Sequence, residues 1–130
     1  MKYIILFLFI SLCTTYSLAQ TNVKDSLKIL LQKEKRDTSR VMLLTKLSVY
    51  YLNRPDTAMV LALEALSLSQ RSGFVKGEAS SLNSIGNVYG AVGNSPKQME
   101  VYVKALKLNE KINNINGKAI NLTNIGKYLS

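Results

Sequence analysis

An all-α fold, a stacked array of helical hairpins, is what the sequence predicts, and three observations carry that expectation. The stretch Ala79 to Tyr89 (A-S-S-L-N-S-I-G-N-V-Y) sets Ala79, Leu82, Ile85, Gly86 and Tyr89 on one side of a helix, with a glycine where a neighbouring helix would pass. Forty residues later Ala119, Leu122, Ile125 and Gly126 repeat the order. Thirty-eight residues earlier Val41, Leu44, Leu47, Ser48 and Tyr51 anticipate it, with serine in the glycine slot. A period in this range built on helix pairs marks a solenoid rather than an unrepeated domain. The third observation is punctuation. Only 2 prolines and 7 glycines interrupt 130 residues, and no β-branched alternation competes with the helical period. At 47% apolar and 19% charged residues, the chain has the composition of one domain with a core.

The first residues read separately. Met1-Lys2 gives a short positive start, Tyr3 to Cys13 is almost wholly apolar, and Ser17-Leu18-Ala19 fits the small-x-small rule for signal peptidase. Residues 1–19 are therefore expected to be a secretory leader, cut before Gln20. A buried N-terminal helix is the alternative. The apolar run is too short for a membrane anchor, which needs about 18–20 residues. Leu12 stands where a lipoprotein leader before Cys13 wants a small residue. Cleavage removes the single cysteine, so the exported chain must be held by helix packing without disulfides.

Lysines and arginines number 17 against 8 acids, a net charge of +9, one less once Lys2 leaves with the leader. The basic residues are scattered singly and often stand near an acid, as Lys104 does four residues after Glu100. The only short basic run, Lys33 to Arg36, includes Glu34. This is a solvated basic surface suited to an acidic partner, and not a nucleic-acid stripe. Stable membrane insertion after leader cleavage is not expected either.

In order along the chain, residues 20–38 should form a capping helix, Val23 to Lys35, that packs through Val23, Leu27, Leu30 and Leu31 while Lys24, Lys28, Gln32 and Lys35 point away. Repeat 1 (39–75) should pair a helix at 40–53 with one at 57–71, with Asp37, Thr38 and Ser39 offering caps to the first and Asp56 to the second. Ala58, Leu61, Ala62, Ala65, Leu66 and Leu68 form the second helix's inner face, where three alanines permit close approach. Gly73 ends it in a left-handed conformation. Repeat 2 (76–115) should pair 76–92 with 96–112, joined by Gly93-Asn94-Ser95-Pro96, and Ser95 with Gln98 fits a capping box. Val101, Tyr102, Ala105, Leu106 and Leu108 lie forty residues after Leu61, Ala62, Ala65, Leu66 and Leu68. Asn113-Asn114 stands where Gly73 stood, and asparagine tolerates the left-handed region better than most residues. Residues 116–130 open repeat 3. Leu122, Ile125 and Leu129 on its helix are an apolar stripe expected to lack its cover, to exchange amide hydrogens fast and to favour self-association.

At Leu82, Ile85-Gly86 and Tyr89 in one helix, Tyr102 and Ala105 in the next and the Gly93-Asn94 turn, the chain resembles the tetratricopeptide repeat family, in its long-repeat exported form. The likeness runs from about residue 40 to the end. It departs at Gln98, which replaces an early alanine, at Leu129, which replaces an aromatic, and in the period of 38 to 40. The resemblance implies a right-handed helical-hairpin solenoid of about two and a half repeats, whose first helices line a concave groove for a peptide or partner protein. By position that groove would take Met42, Thr45, Val49, Ser80, Asn83, Asn87, Ile120, Thr123, Asn124 and Lys127. Asn87 and Asn124 match two asparagines that hold the ligand in carboxylate-binding members. Asn83 stands in a lysine slot, so that clamp is incomplete. An amide can still offer a donor and an acceptor to an extended backbone.

Catalytic chemistry is not expected. No histidine occurs, the only thiol lies in the leader, and the acids are dispersed with no pair at helical spacing. The glycines between Gly86 and Gly93 lack a phosphate-binding order. No cofactor or metal is implied. Two function classes follow: a secreted or periplasmic scaffold that binds a peptide or partner protein, or the periplasmic sensory front of a longer bacterial signalling protein (a histidine kinase or transcription regulator), here cut short.

Overall fold

The structure is a computed structural model that describes the backbone of residues 1–130 and the side chains of residues 1–10 and 22–130. Its elements are α1 (Lys2–Lys33), α2 (Asp37–Tyr50), α3 (Pro55–Arg71), α4 (Val75–Ala91), α5 (Ser95–Lys111) and α6 (Ile115–Leu129). The fold is all-α, with no strand among the described residues. Each helix from α1 to α5 packs on the next; α4 also touches α2 and α6. Thus α3 bridges α2 and α4, and α5 bridges α4 and α6, while α3 and α5 do not pack on each other among the described residues.

Three turns share one construction. Gly73, Gly93 and Asn113 take left-handed φ values of 65°, 73° and 53°. In each turn the next residue donates its N–H to the carbonyl five residues back: Phe74 to Ser69 (2.9 Å), Asn94 to Tyr89 (2.8 Å) and Asn114 to Asn109 (2.9 Å). The left-handed residue itself donates three residues back, to Gln70, Gly90 and Glu110. This closure satisfies two orphan carbonyls at each helix end and fixes how the following helix leaves.

The helix starts differ in detail from the sequence expectation. Asn94, not Ser95, caps α5, accepting from the Lys97 N–H at 3.3 Å, and Asn114 caps α6 through the Gly117 N–H at 3.2 Å. The Ser95–Gln98 capping box is not formed: Ser95 is already helical, and the Gln98 amide donates to the Tyr102 hydroxyl at 3.3 Å. Asp37, Thr38 and Ser39 lie inside α2, and Asp56 inside α3 behind Pro55. The corner before α2 is held instead by Glu34, whose Oε1 accepts from the N–H groups of Lys35 (3.0 Å) and Arg36 (2.9 Å). Those backbone bonds and the Arg36 side chain hold the Glu34 carboxyl below its ordinary pKa.

α1 runs without a break from Lys2 to Lys33, longer than the Val23–Lys35 helix expected. The side chains of Cys13 and Ser17-Leu18-Ala19, on which the leader expectation rests, lie outside the described residues. Among the described residues α1 packs on α2 alone, and a narrow stripe of it is covered: Leu27 and Leu31 are half-buried. Val23 and Leu30, expected on the packing face, stay 40% and 52% exposed. Lys24 and Lys28, expected to point away, hold their ammonium groups 4.9 and 5.8 Å from the centroid of the Tyr51 ring. The Arg40 guanidinium donates to the carbonyls of Leu31 (3.0 Å) and Glu34 (3.3 Å), satisfying the end of α1 from α2.

Two apolar clusters form the core. Val41, Leu44, Ala65 and Leu68 make one, covered by Leu31, Leu61 and Phe74. Ala62, Ala79, Leu82, Ile85, Val101 and Ala105 make the other, covered by Met59, Leu66, Tyr89 and Leu108. Ala58, Ala62, Ala65 and Ala105 are fully buried, which lets the helix backbones close up. No described helix is long and apolar enough to cross a membrane.

Candidate partner-binding face

Because α4 touches both α2 and α6, the residues expected to line a groove sit on α4 and on the two helices that flank it. The structure sorts them. Val49, Ile120, Thr123 and Lys127 are exposed, and Met42, Ser80, Asn83, Asn87 and Asn124 are partly so. Thr45 is the correction: it is only 7% exposed, and its Oγ1 donates to the Met42 carbonyl at 3.0 Å. It is packed inside the fold and offers no surface to a ligand. Ser80 and Thr123 likewise turn their hydroxyls onto their own helix, to the carbonyls of Lys76 (3.0 Å) and Ala119 (2.8 Å). Their exposed sides present mainly carbon.

The polar centre of the face lies between α4, α5 and α6. Asn87, Gln98, Tyr102, Asn124, Lys127 and Tyr128 enclose a recess of about 320 Å³. Two glycines of α4 make room for two of the lining side chains. A Cβ on Gly86 would meet the Tyr102 ring, with Tyr102 Cδ1 only 2.7 Å away, and a Cβ on Gly90 would meet the Gln98 amide. Small residues one turn apart therefore admit the large pair Tyr102 and Gln98. This also explains why Gln98 is tolerated where the family resemblance leads one to expect alanine. The seated Tyr102 donates its hydroxyl to Asn87 Oδ1 at 2.7 Å, which fixes that amide and leaves its Nδ2 without a hydrogen bond among the described residues. The side chains of Asn124 and Lys127 make no hydrogen bond or ion pair among the described residues. The recess can thus offer amide donors, an amide acceptor and one ammonium, a set suited to a peptide backbone or a carboxylate.

Sequence reasoning missed a second polar feature. Asn121 and Asn109 are 0% and 2% exposed. Asn121 Nδ2 donates to Asn83 Oδ1 (2.6 Å), Asn109 Nδ2 to Asn121 Oδ1 (2.7 Å), and Asn114 Nδ2 to Asn109 Oδ1 (2.8 Å). This relay joins α4, α6 and α5 and ends at the cap of α6. Asn83 is therefore a structural acceptor as well as a face residue. Forty residues earlier the matching positions are Ser69 and Ser81, both buried, each donating to its own helix: to Leu66 (2.8 Å) and Gly77 (2.8 Å). The forty-residue register was the available signal, since it pairs two serines with two asparagines on faces otherwise apolar.

No protein-family model matches the chain, and no curated protein matches it significantly.

Proposed function

We propose that the chain is an exported, non-enzymatic scaffold of tetratricopeptide type, a right-handed solenoid of helical hairpins that holds a peptide or partner-protein segment across α2, α4 and α6. The observation that carries this reading is the recess at Asn87: the Asn87 Nδ2, Asn124 and Lys127, without partners among the described residues, are gathered where α4, α5 and α6 meet, on a frame whose turns recur in one form. The surplus of basic residues supports an acidic partner, and the leader-like start supports export to the periplasm or beyond. The pattern of Gly86 with Tyr102 and of Ala105 supports the family likeness.

The test uses residues that the fold does not need. Asn124→Ala with Lys127→Ala removes an amide and an ammonium from the recess without breaking an internal bond. Affinity for the protein recovered with the chain from the cell envelope should fall about tenfold, with the melting temperature unchanged. Unaltered affinity in the double variant contradicts the proposed face.

A further inference from the structure

A trough separate from the Asn87 recess lies between α1, α2 and the start of α4, with a volume of about 710 Å³. Leu30, Met42, Leu43 and Phe74 give it an apolar lining, and Lys33 and Lys46 stand on it as exposed cations. Leu30 stays 52% exposed beside three other large apolar side chains. Phe74 is fixed from behind: it packs against the cluster of Val41, Leu44, Ala65 and Leu68, and its ring fills the space a Cβ on Gly77 would need. That wall exists before any ligand arrives. Met42, unbranched and polarisable, is the wall that can reshape. The one acid on the lining, Glu34, is engaged elsewhere, by the backbone of Lys35 and Arg36 and by Arg36 Nε at 3.4 Å. Its charge is offset locally, and the trough retains the field of its two lysines.

We propose that this trough docks an acidic-apolar peptide segment of a partner protein. One leucine or phenylalanine sits among Leu30, Met42, Leu43 and Phe74, and flanking carboxylates reach Lys33 and Lys46. Charge complementarity selects that occupant. The exposed apolar face of α6 in a second copy does not fit, because beside Ile115, Ile120, Leu122 and Leu129 that helix carries Lys118 and Lys127 and no acid. The proposal deepens the scaffold reading, on which it rests, by naming the partner chemistry at a second contact.

The full chain labelled at its methionine methyls has 4 reporters, of which Met42 alone lines the trough. The probe is the blocked hexapeptide Asp-Glu-Leu-Phe-Glu-Asp, compared with versions carrying lysine for the acids or alanine for Leu-Phe. Saturable shifts of the Met42 methyl, with Met59 and Met99 still, are the expected result. Lys46→Glu should weaken that binding on the order of fivefold. Leu30→Ser should weaken it about tenfold. Both positions are exposed, so neither change threatens the fold. A Met42 methyl that responds equally to the lysine peptide, or to none, overturns the trough proposal. If the acidic peptide instead shifts the side-chain amides of Asn87 and Asn124, the trough is overturned and the scaffold reading stands.

Discussion

At Gly86 the absence of one carbon decides where α5 sits. The Tyr102 ring occupies the Cβ position, its hydroxyl reaches Asn87, and the orientation of that amide in the recess follows. Gly86→Ala must push the ring outward against a helix that is otherwise close-packed. The expected cost is about 1–3 kcal/mol in denaturant unfolding, with loss of the Tyr102–Asn87 bond. Gly126 is the contrasting case, because no described atom of another helix lies within 4 Å of a Cβ built there. Gly126→Ala should be neutral or slightly stabilising, since alanine is the better helix former by about 1 kcal/mol. Equal destabilisation at both sites would show that Tyr102 does not depend on the glycine. The repeated order of residues made both glycines visible in the sequence. Only the structure separates them, because the partner of each lies on another helix.

Among the elements, α6 is held differently from the rest. Neither apolar cluster includes a residue of α6, Leu122 and Leu129 are 49% and 73% exposed, and the one buried residue of the helix is Asn121. Its seat is the amide relay through Asn83 and Asn109. Asn121→Ser removes the acceptor of the buried Asn109 Nδ2 and the donor to the partly exposed Asn83 Oδ1, and should cost about 2–3 kcal/mol. Adding Asn109→Ser recreates the Ser69–Ser81 arrangement of the preceding hairpin, so the pair should cost less than the sum of the singles by about 1 kcal/mol. Strict additivity in thermal unfolding would mean that the relay carries no coupling. Helix limits could be read within about two residues from α3 onward, because Gly73, Gly93, Asn113, Pro55 and Pro96 act through their own backbones, whereas α2, expected over 40–53, runs from Asp37 to Tyr50. The caps could not be read as well: Asn94 and Ser95 both satisfy the cap pattern, and one residue of phase decides between them. Nor could the burial of Thr45, which depends on how closely the neighbouring helix covers α2.

On the scale of the whole molecule, the proposed partner face runs over α2, α4 and α6, with Gln98 and Tyr102 of α5 completing its recess, while α3 and the remainder of α5 serve as support. The three like turns, the bridging contacts of α4 and the recess at Asn87 all bear on that division. The positions that distinguish the two sides are solvent-accessible: Val49 and Thr123 on the proposed face, Val60 and Lys107 on α3 and α5. A photo-crosslinking residue placed singly at each of these four sites, in cells that export the full chain, tests the division directly. Adducts of one discrete mass should form from Val49 and Thr123, diminish when Asn124 and Lys127 are also replaced by alanine, and be lacking at Val60 and Lys107. Adducts formed from Val60 or Lys107 as readily as from Thr123 would contradict it.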